Sequence, residues 1–375
     1  MKKINTLLLN KFHQVAKSKE EELIVKNLKN NDELTYIGNA AFAALCEKVN
    51  QLLLDEISNT EDQNQLSQVE DLAKQLDEIC VGFNMHDLAN NDWNTFFEKY
   101  MSLDEKMNLP MRLAILNHVQ SITEKSSFFS KLSTENRYLI GGFHVQKYMD
   151  STGLDAGTFG SMKGAGKFTN LLKNQPKVLD ETIALIINTK IINKEVYIKI
   201  VDCYKKALND AEVGKNLLKP LTRLLALLKP EQFLCITSRN ETMLCKYFGI
   251  RKFKADEYQR YFDDIIQPIR NMKWNNILIE STDKSKKVFG YRMALLDMLF
   301  YQNPTTQKII DKSRLKRIGS KSASLNREEA KNIMSVYYKD NKTTLPKNIS
   351  VYREDIIEHI LDGLVVEEAF LEALI

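Results

Sequence analysis

Apolar residues recur along this chain at intervals of three and four, and this period constrains the fold more than any other feature. Residues 40–57 and 110–124 both carry such a stripe, which is typical of an amphipathic helix. Runs with the composition of strands are short, and the best are residues 277–279 and 348–352. The pattern predicts an all-α or strongly α-dominated fold with two or three helical subdomains and at most short strands.

Charge is distributed unevenly along the sequence. Residues 1–130 have a net charge of −7, residues 131–345 of +16 and residues 346–375 of −5. Such segregation indicates that the middle of the chain faces a polyanion or an acidic partner, or that each surface keeps its own domain in solution. Together with breaks in the apolar pattern, it predicts an acidic helical domain over 1–130, a basic helical domain over 131–325 and an acidic helical segment over 326–375. The basic domain is the candidate for DNA binding.

Composition excludes several classes of protein. The five cysteines are scattered without a Cys-x-x-Cys pair, which indicates reduced thiols in a cytoplasmic protein. The five histidines are equally scattered, so we expect no metal and no cofactor. No run of about 18 apolar residues occurs, so we expect no membrane partner.

Glycines cluster over residues 157–172, which read GTFGSMKGAGKFTNLL. A phosphate-binding P-loop does not fit, because Phe168 follows Gly166-Lys167 where that loop needs Ser or Thr. The segment resembles the helix-hairpin-helix element of DNA-binding proteins, in which glycines expose backbone amides to a DNA phosphate. The resemblance implies phosphate contacts from Lys163, Gly164, Gly166 and Lys167. The alternative is an ordinary loop with glycines in helix-capping positions.

A second candidate functional segment follows an apolar helix that is bounded by two prolines, residues 220–230. The segment resembles the helix before the catalytic Asp of helix-hairpin-helix DNA glycosylases, and also uncharacterised bacterial proteins associated with phage defence. Thr237 and Ser238 stand where the glycosylases have their Asp, so the resemblance does not imply glycosylase activity. Without any chemistry, Ser238 and Glu241 fit a capping box at the start of a helix.

Two basic stretches add further candidate DNA-binding residues. Residues 312–321 carry five cations and no acid, and their Ser and Gly residues predict a loop that could follow a phosphate backbone. Residues 251–254 mix cations with Phe253 and nearby tyrosines, which suits stacking on bases, whereas a solvated helix end beside core aromatics is the simpler alternative. The candidate residues in these stretches are Arg251, Lys252, Lys254, Arg314, Lys316, Arg317 and Lys321.

The sequence contains no recognisable catalytic constellation, because its paired acids are chain neighbours that point in different directions on a helix. We therefore expect a non-catalytic protein that binds double-stranded DNA with little sequence preference. Two alternatives stay open. One is a helical adaptor that binds another protein, for which the apolar C-terminal residues Leu371, Leu374 and Ile375 are candidates. The other is a divergent nucleic-acid-processing enzyme.

Overall fold

The computed structural model describes residues 4–30, 39–90, 93, 109–125, 128–143, 146–160, 166–214, 216–276, 288–301, 304–319, 327–341, 345, 349–361 and 366–373. All regular structure in these ranges is helical, and they contain no strand. The prediction of an all-α fold is confirmed. Within the same ranges, no helix combines the length and the apolar character that crossing a bilayer requires.

The α-helices are numbered here in chain order. They are α1 Thr6–Val15, α2 Lys19–Asn30, α3 Asn39–Ser58, α4 Gln63–Asn90, α5 Leu109–Lys125, α6 Thr134–Gly141, α7 Gln146–Thr152, α8 Gly166–Asn174, α9 Asp180–Asn188, α10 Lys194–Asp210, α11 Leu218–Leu228, α12 Glu241–Tyr247, α13 Tyr258–Tyr261, α14 Gln267–Arg270, α15 Arg292–Leu296, α16 Pro304–Gly319, α17 Arg327–Asp340, α18 Arg353–Leu361 and α19 Val366–Glu372. A π-helical turn, Phe262–Ile266, joins α13 to α14. The 3-10 turns include Ala156–Phe159, Asp297–Phe300 and Ile349–Tyr352.

The chain forms two compact units. The terminal unit contains Met1–Ile79 and Asn303–Ile375, and the central unit contains Cys80–Gln302. The sequence places breaks near 125–135 and near 302–325; the second range contains the boundary after Gln302, whereas the first boundary lies after Ile79. The central unit holds 32 Lys and Arg against 24 Asp and Glu, a net charge of +8, whereas the terminal unit has a net charge of −4. The positive charge of the chain is therefore concentrated in the central unit.

Helix α11 lies in the middle of the core of the central unit. Every residue from Pro220 to Leu228 is buried, because α5, α6, α9 and α15 pack around the helix. A helix surrounded in this way is expected to be apolar on all faces. Position 223 breaks the rule, since a fully buried Arg stands in the run of leucines.

The terminal unit corrects two expectations from the sequence. Residues 312–319 belong to helix α16 rather than to a loop, because Thr306, Ile309, Ile310 and Ser313 form a buried stripe at helical spacing. Two members of that stripe are polar, so the apolar pattern did not show it. Residues 349–352 form a 3-10 turn and not a strand, and residues 277–279 lie outside the described residues.

The last helices of the terminal unit, α17 to α19, share a hydrophobic cluster of their own. Ile333 and Met334 of α17 pack with Ile357 and Ile360 of α18 and with Phe370 of α19. Of the apolar C-terminal residues predicted as a protein contact, Leu374 and Ile375 lie outside the described residues, as does the side chain of Leu371.

Candidate nucleic-acid interface

The predicted DNA-binding residues fall into three groups. Gly166, Lys167, Arg251, Lys252 and Lys254 lie in the central unit and are all exposed. Lys316 lies in the terminal unit. The remaining candidates are not described: Lys163, Gly164 and Lys321 lie outside the described residues, as do the side chains of Arg314 and Arg317.

Lys316 closes the C-terminal end of helix α3. Its Nζ donates to the backbone oxygens of Ser58, at 3.2 Å, and Thr60, at 3.0 Å, and pairs with the carboxylate of Glu61 at 2.8 Å. A lysine ammonium has three hydrogens, and these contacts use all three. A cation at this position also opposes the negative end of the helix dipole. The contacts of Lys316 therefore indicate a structural role in the terminal unit.

In the central unit, three elements bring cations to one short segment, residues 213–218. The Nζ atom of Lys167, on α8, lies 3.4 Å from where a Cβ on Gly214 would stand. The Nζ of Lys205, on α10, lies 5.3 Å above the ring of Tyr258, whose hydroxyl accepts the amide of Leu217 at 2.9 Å. The amide of Leu218 donates to the carbonyl of Ala255 at 3.0 Å, directly beside Lys254.

The points at which these elements approach the chain, Gly214, Leu217 and Leu218, lie within five residues of one another. The four peptide steps from residue 214 to 218 span at most about 14 Å. Lys167, from the glycine cluster, thus lies beside Gly214, and the stretch 251–254, more than 80 residues further along the chain, is joined to Leu218 through Ala255. We call the set Lys167, Lys205, Arg251, Lys252 and Lys254 the basic surface.

Acidic residues lie beside the basic surface and order part of it. The carboxylate of Glu257 pairs with Arg251 and with Arg260 and accepts the backbone amide of Lys254 at 2.8 Å. These hydrogen bonds, with that from Arg251 the largest, lower the pKa of Glu257 to about 2. Two further carboxylates reach the same loop: Glu241 accepts the amide of Phe253 at 3.3 Å while pairing with Lys219, and Asp264 pairs with Arg260 at 2.9 Å. Glu257 holds the 251–254 loop in one conformation while Lys252 and Lys254 stay exposed.

The aromatic residues near this loop belong to the core. Tyr258, Tyr261 and Phe262 are buried, and the hydroxyl of Tyr261 donates to the carbonyl of Leu234 at 2.7 Å. The ring of Phe253 lies under the guanidinium of Arg260, 5.0 Å away. For Tyr258, Tyr261 and Phe262 the expectation of stacking on bases is therefore wrong, because these rings lie in the core, whereas Phe253 is only partly buried.

A buried arginine supports the turn 156–160, which forms the start of the glycine cluster. The guanidinium of Arg223 donates to the carbonyls of Leu139, at 2.9 Å, and Ile140, at 3.0 Å, in the last turn of α6. It also donates to those of Ala156, at 2.8 Å, and Gly160, at 2.9 Å, at the two ends of the 3-10 turn. Burial lowers the pKa of Arg223. One side chain thus ties the end of α6 to the turn 156–160.

A second arginine holds the middle of the same turn. Arg112 donates to the carbonyl of Thr158 at 2.9 Å, and its guanidinium lies 4.7 Å from the ring centre of Phe159. Its other end pairs with Asp297, which is fully buried and also accepts the hydroxyl of Tyr301 at 3.2 Å. Burial raises the pKa of Asp297 to about 6, against the opposing attraction of Arg112.

The polar cluster at 237–241 differs from the predicted capping box. Ser238 is exposed, and Asn240 rather than Ser238 precedes α12. The side chain of Asn240 accepts the amide of Thr237 at 2.8 Å and donates to the carbonyl of Cys235 at 2.7 Å. Glu241 pairs with Lys219 at 2.7 Å instead of turning back to the cap. The cluster is a structural turn, as the sequence indicated, but other residues build it.

Sequence reasoning missed Arg112, Arg223, Asp297 and Lys205. A signal existed for Arg223, since a lone Arg inside a leucine-rich helix must bury its charge and satisfy it locally. No comparable signal marked Lys205, because its position depends on contacts between distant segments. Among the described residues, no three His, Cys, Asp or Glu side chains lie close enough to hold a metal ion.

Comparison of the chain with protein-family models, with curated proteins and with solved structures found no match.

Proposed function

We propose that this protein binds double-stranded nucleic acid, in the first instance DNA, without sequence preference and without chemistry of its own. The basic surface is the binding site. The observation that carries the proposal is the approach of Lys167, Lys205 and the 251–254 loop to the single segment 213–218. Cations on three separate elements can contact several phosphates of one backbone, which is the basis of sequence-independent affinity.

The buried aromatics favour a duplex over a single strand. Proteins that bind single strands without preference combine a basic groove with exposed rings on which bases stack. Tyr258, Tyr261 and Phe262 are in the core, and the guanidinium of Arg260 lies 5.0 Å from the partly buried ring of Phe253, so these residues offer no extended stacking platform. A ligand of high charge density, recognised through its backbone, suits the basic surface best. A cytoplasmic location and a part in phage defence stay predictions from the sequence.

A salt titration tests the proposal. Binding of the full chain to two short duplexes of unrelated sequence is measured by fluorescence anisotropy over a range of salt concentrations. Contacts with three to five phosphates predict a slope of log affinity against log salt between about −3 and −4.5, equal for both duplexes. Absence of binding to either duplex at low salt would contradict the proposal.

One observation favours the adaptor alternative. Ile191 is 70% exposed, yet side chains hold the loop that carries it. Gln232 accepts the amide of Ile192 at 2.8 Å, Arg270 donates to the carbonyl of Ile192 at 2.8 Å, and Lys229 donates to that of Ile187 at 3.0 Å. A single exposed apolar side chain is common on protein surfaces, so it is the fixed loop, and not the exposure alone, that favours a protein contact. In the salt titration, this alternative predicts no duplex binding at low salt.

A further inference from the structure

Arg223 occupies a position where burying its charge costs free energy. It is fully buried in the leucine-rich helix α11, and its four described hydrogen bonds all end on backbone carbonyls. The buried carboxylate of Asp297 attracts it electrostatically, but that carboxylate is paired with Arg112, and burial still lowers the pKa of Arg223. An apolar side chain of similar volume would fill such a site at lower cost, because burying a guanidinium carries a large desolvation penalty. The hydrogen bonds of Arg223 to the carbonyls of α6 and of the turn 156–160 therefore explain an arginine at this position better than core packing does.

The groups that Arg223 holds are connected to the basic surface by packing. Its contacts to Leu139 and Ile140 fix the last turn of α6, and α8 packs on that turn. The fit is close at Gly141, where a Cβ would lie 2.2 Å from Cδ1 of Leu172 on α8. At the start of α8, the buried ring of Phe168 lies between those of Phe143, 6.2 Å away, and Tyr204, 6.4 Å away. Lys167 directly precedes Phe168 in the chain, so its position depends on how these three rings pack.

We propose that Arg223 is a positioning residue of the basic surface: by fixing the end of α6 it fixes α8 and, with it, Lys167. This inference rests on the proposed function. The planar fork of an arginine is needed, because a lysine ammonium cannot reach four carbonyls that lie in different directions. Arg223 itself touches no ligand, since it has no exposed surface.

The test is a double-mutant cycle of duplex binding by the full chain. Arg223→Lys keeps the charge and loses the fork, and thermal unfolding confirms which variants are folded. We expect Arg223→Lys and Lys167→Ala each to weaken binding about threefold to tenfold and to reduce the salt slope by about 1. The double variant should bind no more weakly than the weaker single variant. Arg223→Lys combined with Lys254→Ala should instead multiply the two losses, because the hydrogen bonds of Arg223 reach the end of α6 and the turn 156–160 and none reaches the 251–254 loop.

A second variant tests the same link without altering a buried charge. Gly141→Ala shifts α8 against α6, and it should fold because the contacting atom is the flexible end of Leu172. It too should be non-additive with Lys167→Ala. The inference is overturned if folded Arg223→Lys or Gly141→Ala leaves affinity and salt slope unchanged, or if their losses multiply with that of Lys167→Ala.

The controls separate this inference from the proposed function. If Lys167→Ala has no effect while Lys252→Ala and Lys254→Ala weaken binding, the inference about Arg223 fails. The proposed function is then retained with a basic surface that excludes Lys167. If none of the three lysine variants weakens binding, the proposed function fails as well.

Discussion

Asp297 shows at the residue scale how burial can outweigh an ion pair. Its carboxylate pairs with Arg112, yet removal from water raises its pKa from 3.8 to about 6. Between pH 4 and 6 the folded chain therefore binds a proton at Asp297 that the unfolded chain does not. The contribution of Asp297 to stability is therefore largest at the acid end of this window and is lost as the pH rises through about 6.

Asp297→Asn should remove this dependence, because the amide keeps the shape of the side chain without its charge. The measurement is urea unfolding of both proteins at several pH values between about 4 and 7. We expect the stability of the natural protein relative to Asp297→Asn to decrease as the pH rises. An increase over the same range would mean that the ion pair lowers the pKa of Asp297, contrary to this account.

Lys316 offers a second prediction for a single residue. Because its ammonium caps the end of α3, Lys316→Met should lower the free energy of unfolding by about 1 kcal/mol. Lys312→Met is the matched control, since Lys312 is exposed on the same helix α16, and it should change stability by less than about 0.5 kcal/mol. Equal effects of the two substitutions in chemical denaturation would remove the case for a cap.

At the scale of elements, the turn 156–160 depends on a glycine. Gly160 has a φ of +81°, and a Cβ there would lie 2.3 Å from Cγ2 of Thr237. Gly160→Ala should therefore cost about 1–2 kcal/mol for the backbone and about 1–3 kcal/mol more for the contact. Gly153 has a φ of +71° and no atom within 4 Å of its Cβ position, so Gly153→Ala should show the backbone cost alone. Equal losses in thermal unfolding would show that Thr237 does not restrict the turn.

Helices with apolar stripes were predictable from the sequence, and those with mixed stripes were not. The stripe in residues 40–57 predicted α3, and that in residues 110–124 predicted α5. The Ser and Gly residues of 312–321 predict a loop, and the pattern does not show helix α16, because Thr306 and Ser313 are polar but buried. Thr306 donates to Asp77 at 2.8 Å and Ser313 to the carbonyl of Leu66 at 3.0 Å. Such partners come from distant segments, so a local pattern does not reveal them.

At the scale of the whole molecule, the sequence indicated the positive charge of the middle of the chain and four of the five cations of the basic surface. Arg251, Lys252, Lys254 and Lys167 were identified because they lie in basic or glycine-rich stretches. The approach of these cations to residues 213–218 was not predictable from the sequence, because it depends on the contacts of Lys167 with Gly214 and of Ala255 with Leu218. Lys316 shows the opposite case, in which a cation in a basic stretch serves a helix end in the terminal unit.

The most direct test of the basic surface is a comparison of two charge-reversed proteins with equal net charge. One replaces Lys167, Lys252 and Lys254 with Glu, and the other replaces Lys177, Lys190 and Lys199, which are also exposed in the central unit. In salt titrations with a short duplex, the first should lose most of its affinity and about 3 in salt slope, while the second keeps a slope near that of the natural protein. Equal losses in both proteins would show that net charge alone attracts the duplex and would contradict a defined basic surface.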